Sequence, residues 1–286
     1  MPQAMRSAED RMKNAAPAIF ALVGNPVSHS LSPLMHNAAF QKMGIEATYC
    51  PLLVENLRDA LQGVRACNIR GISVTIPFKT AVIPYLDEID ASSQEIGAVN
   101  MISHDDTGRL KGYNTDWIGL VRGLEESFEI KKKTVAILGA GGTARAAVFG
   151  IRQRGGTPMI INRTPERGER LAQEFGVPFY PLAQVKGIKA DCLINTTPVG
   201  MTPDKKNSPL PRESIGRFPW VMDCIYNPLK TQLLKDAEEA GCFVINGLRM
   251  FVHQGAEQIR IWTGKEPPVE LMREVVLARL KEANGD

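Results

Sequence analysis

Residues 134–151, TVAILGAGGTARAAVFGI, constrain the fold more than any other stretch, because a short apolar run breaks into glycines and then resumes with helical spacing. Val135, Ala136, Ile137 and Leu138 read as a strand buried on both faces, the pattern of a parallel sheet. Ala144, Ala147, Val148 and Ile151 recur at the spacing of one helix face. A strand therefore feeds a helix through glycines. Gly139 permits a tight turn, Gly141 lets backbone approach a pyrophosphate, and Ala144 lets the helix pack closely on the sheet. Ala140, Gly142 and Thr143 complete this cradle, whose free N–H groups at the helix start suit phosphate. Glycine pairs after apolar runs also occur as ordinary turns, so the following strand carries weight.

That strand, Met159, Ile160 and Ile161, ends in Asn162, Arg163 and Thr164, where an enzyme using NAD would normally carry an acid. No carboxylate stands there. An acidic side chain would bond a ribose 2′-OH and repel a 2′-phosphate, whereas Arg163 offers that phosphate a planar fork of donors. The expected cofactor is NADP. Arg167, one helical turn later, either adds charge to the same site or belongs to the solvated face of RGERLA.

A length of 286 residues suggests two domains, and an apolar fraction of 44% suits a globular chain with substantial cores. A formal net charge of +3 with both signs interspersed leaves no electrostatic footprint for nucleic acid. The run Lys131-Lys132-Lys133 reads as the solvated entrance to the central strand. Five cysteines, an odd number without CxxC pairing, argue against a disulfide framework or a zinc site, so no metal is expected and reduced thiols point to the cytoplasm. The opening MPQAMRSAEDRMKN has no apolar core of signal-peptide type and reads as a disordered lead-in. No apolar run approaches the ~18 residues needed to cross a bilayer.

In chain order, residues 18–23 read as a strand, followed by the turn Gly24-Asn25-Pro26. Ser28-His29-Ser30-Leu31-Ser32-Pro33 then precedes a helix over 34–40. Ser32 alone would satisfy an N-cap, and the further Ser30 suggests an anion such as a substrate carboxylate. Strands over 48–54 and 71–76 flank a helix over 57–64, an alternating α/β pattern. Thr75 and Lys79 then fall near the carboxyl end of a strand, where open α/β sheets place ligands. Gly97-Ala98-Val99-Asn100 leads another brief strand. A polar turn over 112–116 precedes a helix near Trp117, with Asp116 a candidate N-cap. Strands over 190–195 and 220–223 extend a mostly parallel sheet, and each ends in a polar turn. Two closing helices, from Gly247 past Trp262 and over 269–280, have no strand left to pair and are expected to return to the first domain.

These residues carry a resemblance. Gly24-Asn25-Pro26 with Ser28-His29-Ser30-Leu31-Ser32-Pro33, Val74-Thr75-Ile76-Pro77-Phe78-Lys79, Gly97-Ala98-Val99-Asn100 and Asn114-Thr115-Asp116 are four of seven motifs in one order. The others are Asn162-Arg163-Thr164, Asn195-Thr196-Thr197-Pro198-Val199-Gly200-Met201, and Asn246-Gly247 with Gln254-Gly255-Ala256. Together they resemble the shikimate dehydrogenase family over essentially the whole chain after the first seventeen residues. The resemblance implies NADP-linked, reversible interconversion of 3-dehydroshikimate and shikimate, in aromatic amino acid biosynthesis. It implies two α/β domains about a cleft: an N-terminal substrate domain over 1–115, completed by helices over 248–286, and a Rossmann-type NADP-binding domain over 116–247.

Carried over by motif, Ser30, Ser32 and Tyr226 would bind the substrate carboxylate, and Thr75, Asn100 and Gln254 the ring hydroxyls. Lys79 and Asp116 would be the catalytic pair. Residues 139–143, Asn162 to Arg167, and the backbone at Cys224 and Gly247 would lie along the cofactor. Hydride leaves for nicotinamide only as the substrate hydroxyl loses its proton, so a group must take that proton and stabilise the forming oxyanion. The residues leave open which of Lys79 and Asp116 takes it. One departure stands out: Ser73 occupies a position where the family usually has Asn, and altered affinity rather than lost chemistry is expected from it. Monomer and homodimer both stay open. The alternatives are a quinate/shikimate relative preferring NAD, against which Arg163 argues, and a dinucleotide-binding redox sensor, which would need no Lys79 and Asp116.

Overall fold

The computed structural model describes residues 17–284, so the lead-in expected at the N-terminus lies outside the described residues. Two six-stranded sheets organise the chain. The first begins with β1 (Ala18–Gly24), α1 (Ser32–Lys42), β2 (Ala47–Leu53), α2 (Leu57–Ala66) and β3 (Gly71–Val74). Helical crossovers return the chain each time, so β1 pairs parallel with both β2 and β3. A 3-10 turn (Ile83–Tyr85), β4 (Glu88–Ile89), α3 (Ala91–Ile96), β5 (Met101–His104) and β6 (Leu110–Tyr113) complete the order β2-β1-β3-β5-β6-β4.

β5 runs antiparallel to both β3 and β6. The polar turn expected over 112–116 is therefore shorter, because Gly112 and Tyr113 pair in β6. Gly112 serves closeness rather than turning: a Cβ there would lie 2.5 Å from Leu86 Cδ1 and 2.9 Å from Val99 Cγ2.

The second sheet follows α4 (Asp116–Glu125) and contains β7 (Thr134–Leu138), α5 (Gly142–Gln153), β8 (Thr157–Asn162), α6 (Pro165–Phe175) and β9 (Phe179–Pro181). The chain then crosses back through β10 (Cys192–Asn195), α7 (Arg212–Ile215), β11 (Trp220–Asp223), α8 (Gln232–Glu239) and β12 (Phe243–Ile245). The order β12-β11-β10-β7-β8-β9 is parallel throughout. The winding reverses between β7 and β10, which opens a crevice beyond their carboxyl ends. The three-residue edge strands β9 and β12 carry too little pattern to be read in the sequence. Helix α5 buries Ala144, Ala147, Val148 and Ile151 as their spacing predicts, but also Ala146, Phe149 and Gly150, because α4 covers its other side. A Cβ on Gly150 would lie 2.8 Å from Val121 Cγ1.

Two long helices, α9 (Leu248–Thr263) and α10 (Val269–Asn284), close the chain. They pack on the first sheet, where Leu248, Phe251, Ile259, Met272 and Val276 share a core with Phe20, Leu22, Met35 and Phe40. Each such buried side chain contributes roughly 1.5–3 kcal/mol. Helices α4 and α9 cross closely through Gly119, whose Cβ would lie 2.7 Å from both Gln254 Cβ and the Met250 carbonyl oxygen. That crossing brings the helix that begins at Asp116 against Gln254 on α9.

Candidate active site

β3 stops at Val74, short of the expected Ile76, because the chain turns there: the Phe78 N–H donates to the Thr75 carbonyl at 2.9 Å. Lys79 leaves this turn, its carbonyl accepting from the Val99 N–H at 2.7 Å. Asp116 is not the N-cap that its position suggested. The cap position is Thr115, and the capping acceptor is Asn114 Oδ1, which takes the N–H groups of Asp116 at 3.0 Å and Trp117 at 3.4 Å. Asn114 Nδ2 meanwhile donates to the Ala98 carbonyl at 2.9 Å. The Asp116 carboxylate is thereby released from capping. Its Oδ2 lies 2.5 Å from Lys79 Nζ, and its Oδ1 accepts from Asn100 Nδ2 at 2.8 Å. The two side chains are 15% and 6% exposed, so removing either would leave the other charge poorly compensated.

This pair borders a cavity of about 420 Å³. Ser30, Ser32 and Tyr226 line it together with Thr75, Asn100 and Gln254. Ser32 is the first residue of α1 and does not cap it: the cap position is Leu31, without a side-chain bond. The Ser32 N–H instead donates to Ser30 Oγ at 3.2 Å, and the two hydroxyls lie 3.2 Å apart. Tyr226 OH accepts from the Leu31 N–H at 3.4 Å, and burial pushes its phenol up, so it keeps its proton to donate. Three hydroxyls thus gather by one backbone turn, an arrangement that suits a carboxylate.

His29 is exposed at the cavity, while His36 is the buried histidine. His36 Nδ1 lies 2.9 Å from the Ser32 carbonyl oxygen, and the ring stacks on Tyr49 at 4.2 Å. Burial lowers its pKa to about 4, so it is neutral at neutral pH.

The opposite wall carries the glycine cradle. Gly139 adopts a positive φ of 124°, which favours glycine, and Gly141 has nothing within 4 Å of where a Cβ would stand. No side chain caps the start of α5, so its first N–H groups and the open space over Gly141 fit a pyrophosphate. The cradle also meets the lysine. A Cβ on Gly142 would lie 3.0 Å from Lys79 Cβ, and Thr143 Oγ1 is 3.4 Å from Lys79 Nζ.

Of the residues expected along the cofactor, Thr143 and Cys224 line the cavity. Gly139, Ala140, Gly141 and Gly142 lie at the end of β7, and Asn162, Arg163, Thr164 and Arg167 lie farther off at the end of β8 and start of α6. Asn162 Nδ2 donates to the Thr164 carbonyl at 2.8 Å and holds that turn. Arg163 and Arg167 are exposed and form no ion pair among the described residues, which fits a 2′-phosphate. Gly247 sits under Cys224, where any Cβ would collide with the Cys224 carbonyl.

Thr196, Thr197, Met201 and Asn227 also line the cavity and were not singled out individually. Behind them stand two buried polar residues that close apolar strands. Asn195 Nδ2 donates to Asp223 Oδ1 at 3.0 Å, and Asn195 Oδ1 accepts from the Thr197 N–H at 3.0 Å and hydroxyl at 2.7 Å. Asp223 accepts further from the Ile225 N–H at 3.0 Å and Thr231 Oγ1 at 2.7 Å, while burial raises its carboxyl to about 6. A polar side chain ending an otherwise apolar strand was the signal available for both.

Three family models match: shikimate dehydrogenase substrate binding domain over residues 22–102, shikimate / quinate 5-dehydrogenase over 123–198, and shikimate 5′-dehydrogenase C-terminal domain over 247–277. A shikimate dehydrogenase (NADP(+)) of Pyrococcus abyssi is 46% identical over 264 residues, covering 92% of this chain and 98% of the relative. A crystal structure of a shikimate dehydrogenase in complex with NADP+ aligns with a TM-score of 0.85 at 42% identity, over 93% of this chain and 97% of its own. The shikimate 5-dehydrogenase of Thermus thermophilus, in complex with NADP(H) and shikimate, gives 0.83 at 38% identity, over 91% and 99%. These similarities span both sheets and the closing helices, and by them the chain belongs to the shikimate dehydrogenase family.

Proposed function

We propose that this chain is an NADP-dependent shikimate dehydrogenase, interconverting 3-dehydroshikimate and shikimate. The observation that carries the reading is the Lys79–Asp116 pair, 2.5 Å apart beside a cavity that the glycine cradle meets from the other side. Ser30, Ser32 and Tyr226 donate to the substrate carboxylate. Thr75, Asn100 and Gln254 hold ring hydroxyls. Residues 139–143 would hold the pyrophosphate of NADP and Arg163 and Arg167 its 2′-phosphate, and the bound cofactor would accept or donate the hydride.

Lys79 and Asp116 meet the hydroxyl to be oxidised. As the hydroxyl loses its proton the pair takes it up, and the lysine stabilises the negative charge that develops on oxygen. In the reverse direction the same pair returns the proton to the carbonyl oxygen. Asn100 orients Asp116, and Thr143 brings the cradle to the lysine. In this reading the described residues up to 115, with those from 248 onward, form the substrate domain and 116–247 the cofactor domain. The described cysteines are unpaired thiols, which suits a reducing cytoplasm.

The test is steady-state reduction of the nicotinamide, with shikimate and quinate each offered with NADP and with NAD. The highest kcat/KM is expected for shikimate with NADP. Preference for quinate with NAD would favour a relative of different specificity, and no oxidation of either acid would overturn the proposal.

A further inference from the structure

A line of polar side chains runs from the cavity wall, which Ser73 and Gln254 help to form, to Tyr49 behind it, and the catalytic scheme uses only Gln254 of it. Tyr49 OH donates to Ser73 Oγ at 2.7 Å, and Ser73 Oγ donates to Gln258 Oε1 at 2.5 Å. Gln258 Nε2 donates to Gln254 Oε1 at 2.8 Å, and Gln254 Nε2 donates to the Phe251 carbonyl at 2.8 Å. Tyr49 and Gln258 are each 1% exposed and Ser73, which also lines the cavity, 5%, so bulk water does not replace a partner missing at Gln258.

The direction of this line is fixed from its far end. A backbone carbonyl only accepts, so the atom of Gln254 at Phe251 must be the nitrogen, and the atom turned to Gln258 must be the oxygen. Gln258 must then donate with its own nitrogen and turn its oxygen to Ser73. Ser73 must give its proton to that oxygen, which leaves its lone pairs for the proton of Tyr49. Every member has one orientation. A branch reaches the catalytic pair, since Gln258 Nε2 also lies 3.4 Å from Thr115 Oγ1, which accepts from Asn100 Nδ2 at 3.0 Å.

Resting on the reading of Gln254 as a substrate ligand, we propose that Ser73 and Gln258 are positioning residues that fix the amide of Gln254, so that its remaining Nε2 proton is what it offers the ligand. Gln254 then acts as a donor to a ring oxygen of the substrate in either redox state. Ser73 is the joint of the line, because it alone both accepts from Tyr49 and donates to Gln258. Without its proton, Gln258 Oε1 is left buried and unsatisfied, and rotation of that amide releases Gln254 to present either end.

The test is a double-mutant cycle on full-length enzyme, read as kcat and KM for shikimate with saturating NADP. Ser73→Ala and Gln254→Ala are each expected to raise KM about 10-fold, the effect of one hydrogen bond to a buried partner, with kcat held within about 3-fold. The double variant should lose no more than Gln254→Ala alone, and Ser73→Thr, which keeps the hydroxyl, should recover most of the loss. Gln258→Met preserves side-chain length and repeats the measurement if Ser73→Ala does not fold. Additive losses, or an unchanged KM in both Ser73→Ala and Gln258→Met, would overturn the inference and leave the proposed function standing. A wild-type enzyme that does not oxidise shikimate would strike that function, and this inference with it.

Discussion

Two buried groups on different elements, Asp223 at the end of β11 and His36 on α1, titrate in opposite senses, and substituting one exposes the other. Asp223 is fully buried, and burial raises its carboxyl from 3.8 to about 6. Because the folded value lies above the unfolded one, its contribution to stability is complete below about pH 3.8 and is lost as pH rises to about 6, a change of about 3 kcal/mol. His36 is also fully buried, and burial lowers its pKa from 6.5 to about 4. Its contribution is complete above about pH 6.5 and is lost as pH falls toward 4, again by about 3 kcal/mol. Between about pH 4 and 6 the two slopes, each roughly 1.4 kcal/mol per pH unit, oppose and cancel.

Asp223→Asn keeps an acceptor for the Ile225 N–H and removes the acid. The variant should therefore lose about 3 kcal/mol relative to wild type on going from pH 6 to pH 4, because only the His36 slope remains. Urea unfolding at half-unit pH intervals, extrapolated to water, measures both proteins side by side. Exposed carboxylates contribute equally to the two and drop out of the difference. Stability curves that stay parallel from pH 4 to pH 6 would refute the reasoning about burial at Asp223.

Arg163→Ala should lower kcat/KM for NADP about 10-fold or more while leaving that for NAD within about 2-fold, since a charge-assisted bond to phosphate is worth about 1.5–3 kcal/mol. An unchanged NADP to NAD ratio would remove the phosphate role. Asn114→Ala takes away both the cap of α4 and the bond to the Ala98 carbonyl. A loss of about 2 kcal/mol in unfolding free energy is expected, together with lower kcat because Asp116 is no longer held; an unaltered unfolding curve would contradict the capping geometry.

Much of this architecture was legible in the chain because its signals are local. The apolar run before Gly139 and the helical spacing after it fix β7 and α5, and short buried runs mark β8, β10 and β11. What stayed hidden depends on partners distant in sequence. Asp116 reads locally as a cap, and only the folded chain reveals that Asn114 takes that task. Gly112 reads as a turn until Leu86 and Val99 are brought against it. The candidate site was legible in its motif residues, whereas Gln258 and Tyr49 act from behind the cavity wall and carry no local sign of it, and Asp223 is marked only as a polar residue ending an apolar strand. Ser73 drew notice only as a departure from its family, and its two partners come from β2 and α9.

The most direct test of the central claim is the Lys79→Ala variant, assayed for turnover and, separately, for shikimate binding by calorimetry. Turnover should fall by about 10² to 10⁴ fold while the dissociation constant for shikimate stays within about 10-fold, as expected when a proton carrier is lost and the carboxylate and hydroxyl ligands remain. A variant that turns over at the wild-type rate would contradict the assignment of Lys79 and Asp116 as the pair that moves the proton.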